Sequence, residues 1–248
     1  MVLTWMMDSD DTDQLYQRGR AIICKLPDNV LLEIFDHHLF ISSGQPFDAW
    51  HTLVHVCRQW RSVVFASPRR LSLKLLYTNK RAIQKTPDMW PALPIVIHGN
   101  GKLSQPQDAK NIFTALKQHN RVCKIKIGPI PVSLLKRIGG ITEPFPALTS
   151  LWLWSQSKKL PIIPASFLDA SAPHLQELIL SGIPFPALPK LLSSTTDLVR
   201  LELWSVPYSG YISPEAMVTS LSLLAKLETL VLLESGGSGA PADEAETC

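Results

Sequence analysis

The sequence predicts an α/β fold: a small helical module, then an array of parallel strands joined by helices. Three observations predict it. A short aliphatic phrase recurs five times at a nearly constant step, short helical patterns fill the intervals between its copies, and two stretches of 3.6-residue apolar periodicity precede the array.

Residues 1–20 are polar and acidic, with Asp8, Asp10, Asp11 and Asp13, and read as a disordered N-terminus. Residues 21–66 form the helical module. Leu26, Val30, Leu31, Ile34 and Phe35 fall on one helical face, with Pro27 in the first turn, where a missing N–H costs nothing. Ser42–Pro46 reads as a loop. A second helical pattern places Trp50, Leu53, Val54, Cys57 and Trp60 on one side, and Ser67-Pro68 ends it. Residues 67–121 are a transition of irregular opening repeats. Leu71–Leu75 and Leu93–Ile97 alternate like strands, and Gln107–His119 reads as a helix with Ile112, Phe113 and Leu116 inward.

Residues 122–234 carry the repeats. Val122-Cys-Lys-Ile125-Lys-Ile127 has the form L-x-x-L-x-L. It returns at Leu148–Leu153, Leu175–Leu180, Leu198–Leu203 and Leu227–Leu232, in steps of 26, 27, 23 and 29 residues. Between the copies lie the helical pieces Val132–Ile138, Ala165–Ala170, Ala187–Leu192 and Pro214–Leu224. The last has Ser213 as N-cap, Pro214 at the first position and Glu215 near the positive helix end. Residues 235–248 read as a flexible polar tail. Phrase and period resemble those of leucine-rich repeats. The resemblance implies an irregular solenoid with parallel strands on the concave side and helices on the convex side. No cap follows the last strand, so the expectation is a truncated chain or a partner covering that end.

Alternate residues of a strand face opposite sides. If the L positions point into the core, the x positions form columns on the other face. One column is Lys124, Ser150, Glu177, Arg200 and Thr229. The next is Lys126, Trp152, Ile179, Glu202 and Val231, and the third is Gly128, Trp154, Ser181, Trp204 and Leu233. Trp152, Trp154, Ile179, Arg200, Glu202 and Trp204 are the expected target-binding residues, because exposed aromatics and arginine dominate protein-binding surfaces. A fold-over by loops or a further segment is the competing reading of that patch.

In the helical module, Leu26-Pro-Asp-Asn-Val-Leu-Leu-Glu-Ile-Phe35 is followed by Leu53-Val-His-Val-Cys-Arg-Gln-Trp-Arg61. This pairing resembles an F-box, and an F-box before leucine-rich repeats resembles the fungal-type substrate receptors of SCF-type cullin–RING ubiquitin ligases. The resemblance implies docking on a Skp-family adaptor through Leu26, Pro27, Ile34, Leu53, Val56 and Trp60, with an unknown protein target on the repeats. The chain departs from the family at Asn29, where an acid is usual, and in the longer link from Phe35 to Leu53. The rival reading is a repeat scaffold with no ligase role, its N-terminal helices acting as a cap.

The 248 residues are 46% hydrophobic, enough for a core, and the net charge of +3 is too small to argue for nucleic acid or an anionic membrane. The basic run Arg58, Arg61, Arg69, Arg70, Lys74, Lys80, Arg81 and Lys85 lacks interleaved aromatics and reads as a solvated face or a rim facing an acidic partner. Four cysteines without framework spacing suit a reducing compartment. With no signal peptide and no membrane span, the expected location is intracellular, in cytoplasm or nucleus. His51 and His55 stand four apart, near Cys57 and His37-His38, but a structural zinc site needs four converging ligands. No nucleophile elbow, phosphate loop or paired carboxylate is present. The expectation is a non-catalytic protein with no cofactor, no metal, no nucleic acid and no membrane partner.

Overall fold

The computed structural model describes residues 26–41, 49–78, 93–100, 106–157 and 160–233. The acidic N-terminus, the Ser42–Pro46 loop, Lys80, Arg81, Lys85 and the polar tail lie outside the described residues. The chain divides into two compact units between Lys74 and Leu75.

Among the described residues the first unit holds three helices, α1 (Asp28–Ile41), α2 (Ala49–Val54) and α3 (Arg58–Ala66). Among the described residues, Leu31, Phe35, Trp50, Leu53, Val54, Val63, Val64, Leu71 and Leu73 are its buried apolar side chains. Phe35 packs on Trp60 with ring centroids 4.7 Å apart, and Trp50 donates from Nε1 to the Lys74 carbonyl at 2.9 Å. The second helical pattern is broken where the sequence suggested continuity. Cys57 is extended (φ −156°, ψ 173°) and caps α3, its Sγ accepting from the Trp60 N–H at 3.5 Å. Arg61 Nε bonds the Val54 carbonyl at 2.9 Å, satisfying an end of α2 that the break leaves open. The apolar spacing survives the break, so periodicity alone did not reveal it.

The second unit is α/β. Among the described residues its seven strands are β1 (Leu75–Thr78), β2 (Ile95–Asn100), β3 (Val122–Gly128), β4 (Ser150–Trp154), β5 (Glu177–Ser181), β6 (Arg200–Trp204) and β7 (Thr229–Leu233). The helices are α4 (Pro106–Leu116), α5 (Val132–Gly139), α6 (Leu188–Leu192) and α7 (Pro214–Leu221), with 3₁₀ turns at Phe167–Ala170 and Tyr208–Gly210. The sheet is open, with strand order β1 to β7 following the sequence and every pair parallel. By the right-handed crossover rule, connections that always step the same way fall on one face of such a sheet.

β1 begins at Leu75 rather than Leu71. Ser72 has φ +47°, and Leu71 and Leu73 donate back to the Ser67 and Pro68 carbonyls, so this stretch is turn. From β3 onward the five phrases stand side by side: Ile125, Leu151, Leu178, Leu201 and Leu230 share one row. The entrances repeat as well. The carbonyl of the second phrase residue accepts N–H bonds from the following unit: Thr149 from Gln176 and Glu177, Gln176 from Val199 and Arg200, Val199 from Glu228 and Thr229. A side-chain ladder runs beside it. Just before their phrases, Asp197 bonds Lys226 Nζ at 2.6 Å and lies 3.2 Å from His174 Nδ1. The ladder holds the Asp197 carboxyl below its ordinary value, chiefly through the Lys226 bond and then through His174.

Candidate functional site: the indole face of the sheet

Within β4, β5 and β6 the phrase leucines are buried and most x residues are half-buried, as the alternation requires. The register brings the predicted residues together: Trp152 pairs with Ile179, Ile179 with Glu202, and Trp204 with Ser181, beside Trp154.

Each indole is held by a different device. Trp154 lies flat on the neighbouring strand, where a Cβ on Gly128 would fall 1.9 Å from its Cδ1 and Nε1. Only glycine admits that approach. Trp152 sits beneath Lys126, whose Nζ is 3.6 Å from the ring centroid, a cation–π pair of about 0.5–1 kcal/mol at a partly exposed site. Its Nε1 is buried and has no hydrogen-bond acceptor. Trp204 donates from Nε1 to Glu202 Oε2 at 2.9 Å, while Arg200 Nε bonds Glu202 Oε1 at 2.5 Å.

Glu202 therefore departs from expectation. It is 3% exposed and both carboxylate oxygens are taken, so it positions Arg200 and Trp204 instead of facing a partner. Two residues escaped the sequence reading: Tyr208 and Tyr211, 95% and 63% exposed, in the turn after β6. That turn is pinned, because a Cβ on Gly210 would come 2.7 Å from the Pro184 Cα. The available signal was the pair of aromatics in Pro207-Tyr-Ser-Gly-Tyr211, a run otherwise typical of a turn.

On the helical unit, Ile34 and Val56 are exposed, with Pro27 and the unpredicted Val30. Leu26 and Trp60 are half-buried. Leu53 is buried and belongs to the core, so the surface expected of it is absent. His51 stacks on Trp50, with ring centroids 3.9 Å apart. Among the described residues no group of three His, Cys, Asp or Glu is placed to hold a metal, and no helix is long and apolar enough to cross a membrane.

What the arrangement offers is a rigid aromatic plate with a fixed charge pair at its edge. Immobilised indoles lose little side-chain entropy on contact, which is what a protein-binding anchor requires. Comparison with protein-family models, curated proteins and solved structures found no match.

Proposed function

We propose that this chain is the substrate-receptor subunit of an SCF-type cullin–RING ubiquitin ligase. In this reading the helical unit is an F-box that docks on a Skp-family adaptor. The strand unit is a leucine-rich-repeat array whose indole face holds a target protein for ubiquitination. The observation carrying the repeat assignment is that all five L-x-x-L-x-L phrases lie in register on adjacent parallel strands. The docking half is supported by the apolar residues Ile34 and Val56 left exposed beside the Leu26-Pro27 and Cys57-Arg-Gln-Trp60 signatures. A helical unit of this size leaves apolar surface over for a partner. The mechanism is proximity: tethering raises the target's effective concentration near the ubiquitin-charged enzyme, and no residue of this chain performs chemistry.

The test is co-purification of the full chain with a Skp-family adaptor, alongside Ile34→Asp and Val56→Asp. Both substitutions are at exposed positions, so the fold should survive. Stoichiometric binding abolished by both supports the proposal. A folded chain that does not bind removes the ligase role and leaves a protein-binding repeat scaffold whose N-terminal helices are a cap.

A further inference from the structure

The indole face is graded along its strands. By the register of β3 to β6, the row nearest the strand entrances holds Lys124, Ser150, Glu177 and Arg200. The row at the exits holds Trp154, Ser181 and Trp204, and Trp152 and Ile179 lie between the two. Successive rows are two residues, or about 6.7 Å, apart. One margin of the face is therefore charged and the other aromatic.

The charges of the entrance row are left unsettled. Glu177 and Arg200 are direct neighbours in the register, yet the guanidinium turns away and bonds Glu202 of its own strand through Nε. Among the described residues neither Lys124 nor Glu177 is in an ion pair, and both Nη groups of Arg200 lack an acceptor. All three side chains are half-buried. Charge partly withdrawn from water and left unpaired is costly until a counter-charge arrives. In order across the row it reads positive on β3, negative on β5 and positive on β6.

The spacing selects the shape of what supplies the counter-charges. Adjacent strands stand about 4.8 Å apart, and one α-helical turn rises about 5.4 Å. A helix laid across the strands thus advances close to one turn per strand. Same-side residues of an extended chain recur about every 6.7 Å and fall more than one strand out of step over three intervals. A helix about 10 Å wide, seated over Trp152 and Ile179, reaches the charged row with one flank and the indoles with its underside.

We propose that the indole face takes an amphipathic α-helix of the target protein, lying across β3 to β6, with an apolar stripe on the indoles and one flank carrying acid, base and acid at positions i, i+7 and i+11. These positions lie within about 40° of one another around a helix. The acids meet Lys124 and Arg200, and the base meets Glu177. With the helix reversed, the same order falls at i, i+4 and i+11. No segment outside the described residues sets a base between two acids: in 1–25 every acid precedes every base, 79–92 holds one acid, 234–248 holds no base, and the shorter segments never hold both. The order is therefore a partner's to supply. The inference rests on the proposed reading of this face as the target site and adds what the target presents there.

The probe is a labelled, alanine-rich helical peptide of about 20 residues with glutamate, lysine and glutamate at those positions and leucines along the adjoining stripe, titrated by fluorescence anisotropy with the full chain to about 0.2 mM. Its control carries lysine, glutamate and lysine instead. The first peptide is expected to bind roughly tenfold more tightly, from three exposed pairs of about twofold each, and the difference should vanish in about 1 M salt. In the Lys124→Glu, Glu177→Lys variant the preference should reverse. Equal binding of both peptides, lost in Trp204→Ala, overturns the charge order and leaves the indole face a binding site. Binding of neither peptide overturns the helical target, while adaptor co-purification still decides the ligase reading by itself. Binding that appears only once residues 1–25 are deleted overturns the inference in favour of the chain's own segment.

Discussion

Gly128 is where the indole face is most sensitive to a single methyl group. A Cβ there would sit 1.9 Å from two atoms of the Trp154 ring and 2.5 Å from a third. Ordinary contact needs about 3.5–4.0 Å, so the ring must retreat by some 2 Å and lose its seat on the β3 backbone. Overpacking of this kind costs about 1–3 kcal/mol. For a chain of this size, about 2 kcal/mol lowers the melting temperature by roughly 4–8 °C. Gly128→Ala is therefore expected to lower Tm by that amount and to raise the solvent exposure of a tryptophan, read from fluorescence quenching. Backbone effects alone make the same substitution mildly stabilising in a strand, so the sign discriminates. The decisive control is the cycle with Trp154→Ala: with the ring gone, Gly128→Ala should cost nothing. An equal cost in both backgrounds, or none in either, refutes the argument that the indole and the missing Cβ share one space.

Three further outcomes follow from the same geometry. Arg200→Met removes one of the two partners of the buried Glu202 carboxylate and should cost about 1–3 kcal/mol in urea unfolding, while Glu202→Gln in that background should recover part of the loss. Lys126→Ala should cost no more than about 1 kcal/mol and leave Trp152 more accessible to a neutral quencher, since the ammonium covers the ring. Asp197 has a lowered carboxyl pKa, so its contribution is fully present above the unfolded carboxylate value of about 3.9. It is lost as pH falls through the lower folded value. Asp197→Asn should flatten that acid limb of the stability profile and leave its shape at neutral pH unchanged.

The strands were legible because burial on one face enforces period two, and five copies of one phrase fix both register and order. Ile125, Leu151, Leu178, Leu201 and Leu230 could be aligned from the text alone. The break at Cys57 was not legible, because Trp50, Leu53, Val54 and Trp60 keep apolar spacing across it, and the cap is a thiol rather than the usual hydroxyl or carboxylate. Strand-like alternation at Leu71–Leu75 misled for a related reason: Leu71 and Leu73 are both buried, but in a turn closed by local hydrogen bonds. Glu202 was misplaced because a column assignment says which face a residue starts from. It does not say that Arg200 and Trp204, two positions away on the same face, fold over it.

The unequal steps of the repeat show which parts of the unit are free to change length. The unit from Leu175 to Leu198 takes 23 residues and the unit from Leu198 to Leu227 takes 29, yet their strands pair in the same register. The loop after β5 spans 182–187 and that after β6 spans 205–213, while α6 has five residues and α7 eight. The difference is divided between the C-terminal ends of the strands and the helices behind them, and none of it enters the sheet. Burial explains this: a strand that slips by one residue turns its leucines to solvent, whereas a loop lengthens at an entropic cost that grows only logarithmically. The longer loop is the one that carries Tyr208 and Tyr211, and it leaves the sheet directly from Trp204. The same physics that holds the leucine rows constant thus leaves the rim beside the indoles free to vary, and the tyrosines occupy that rim.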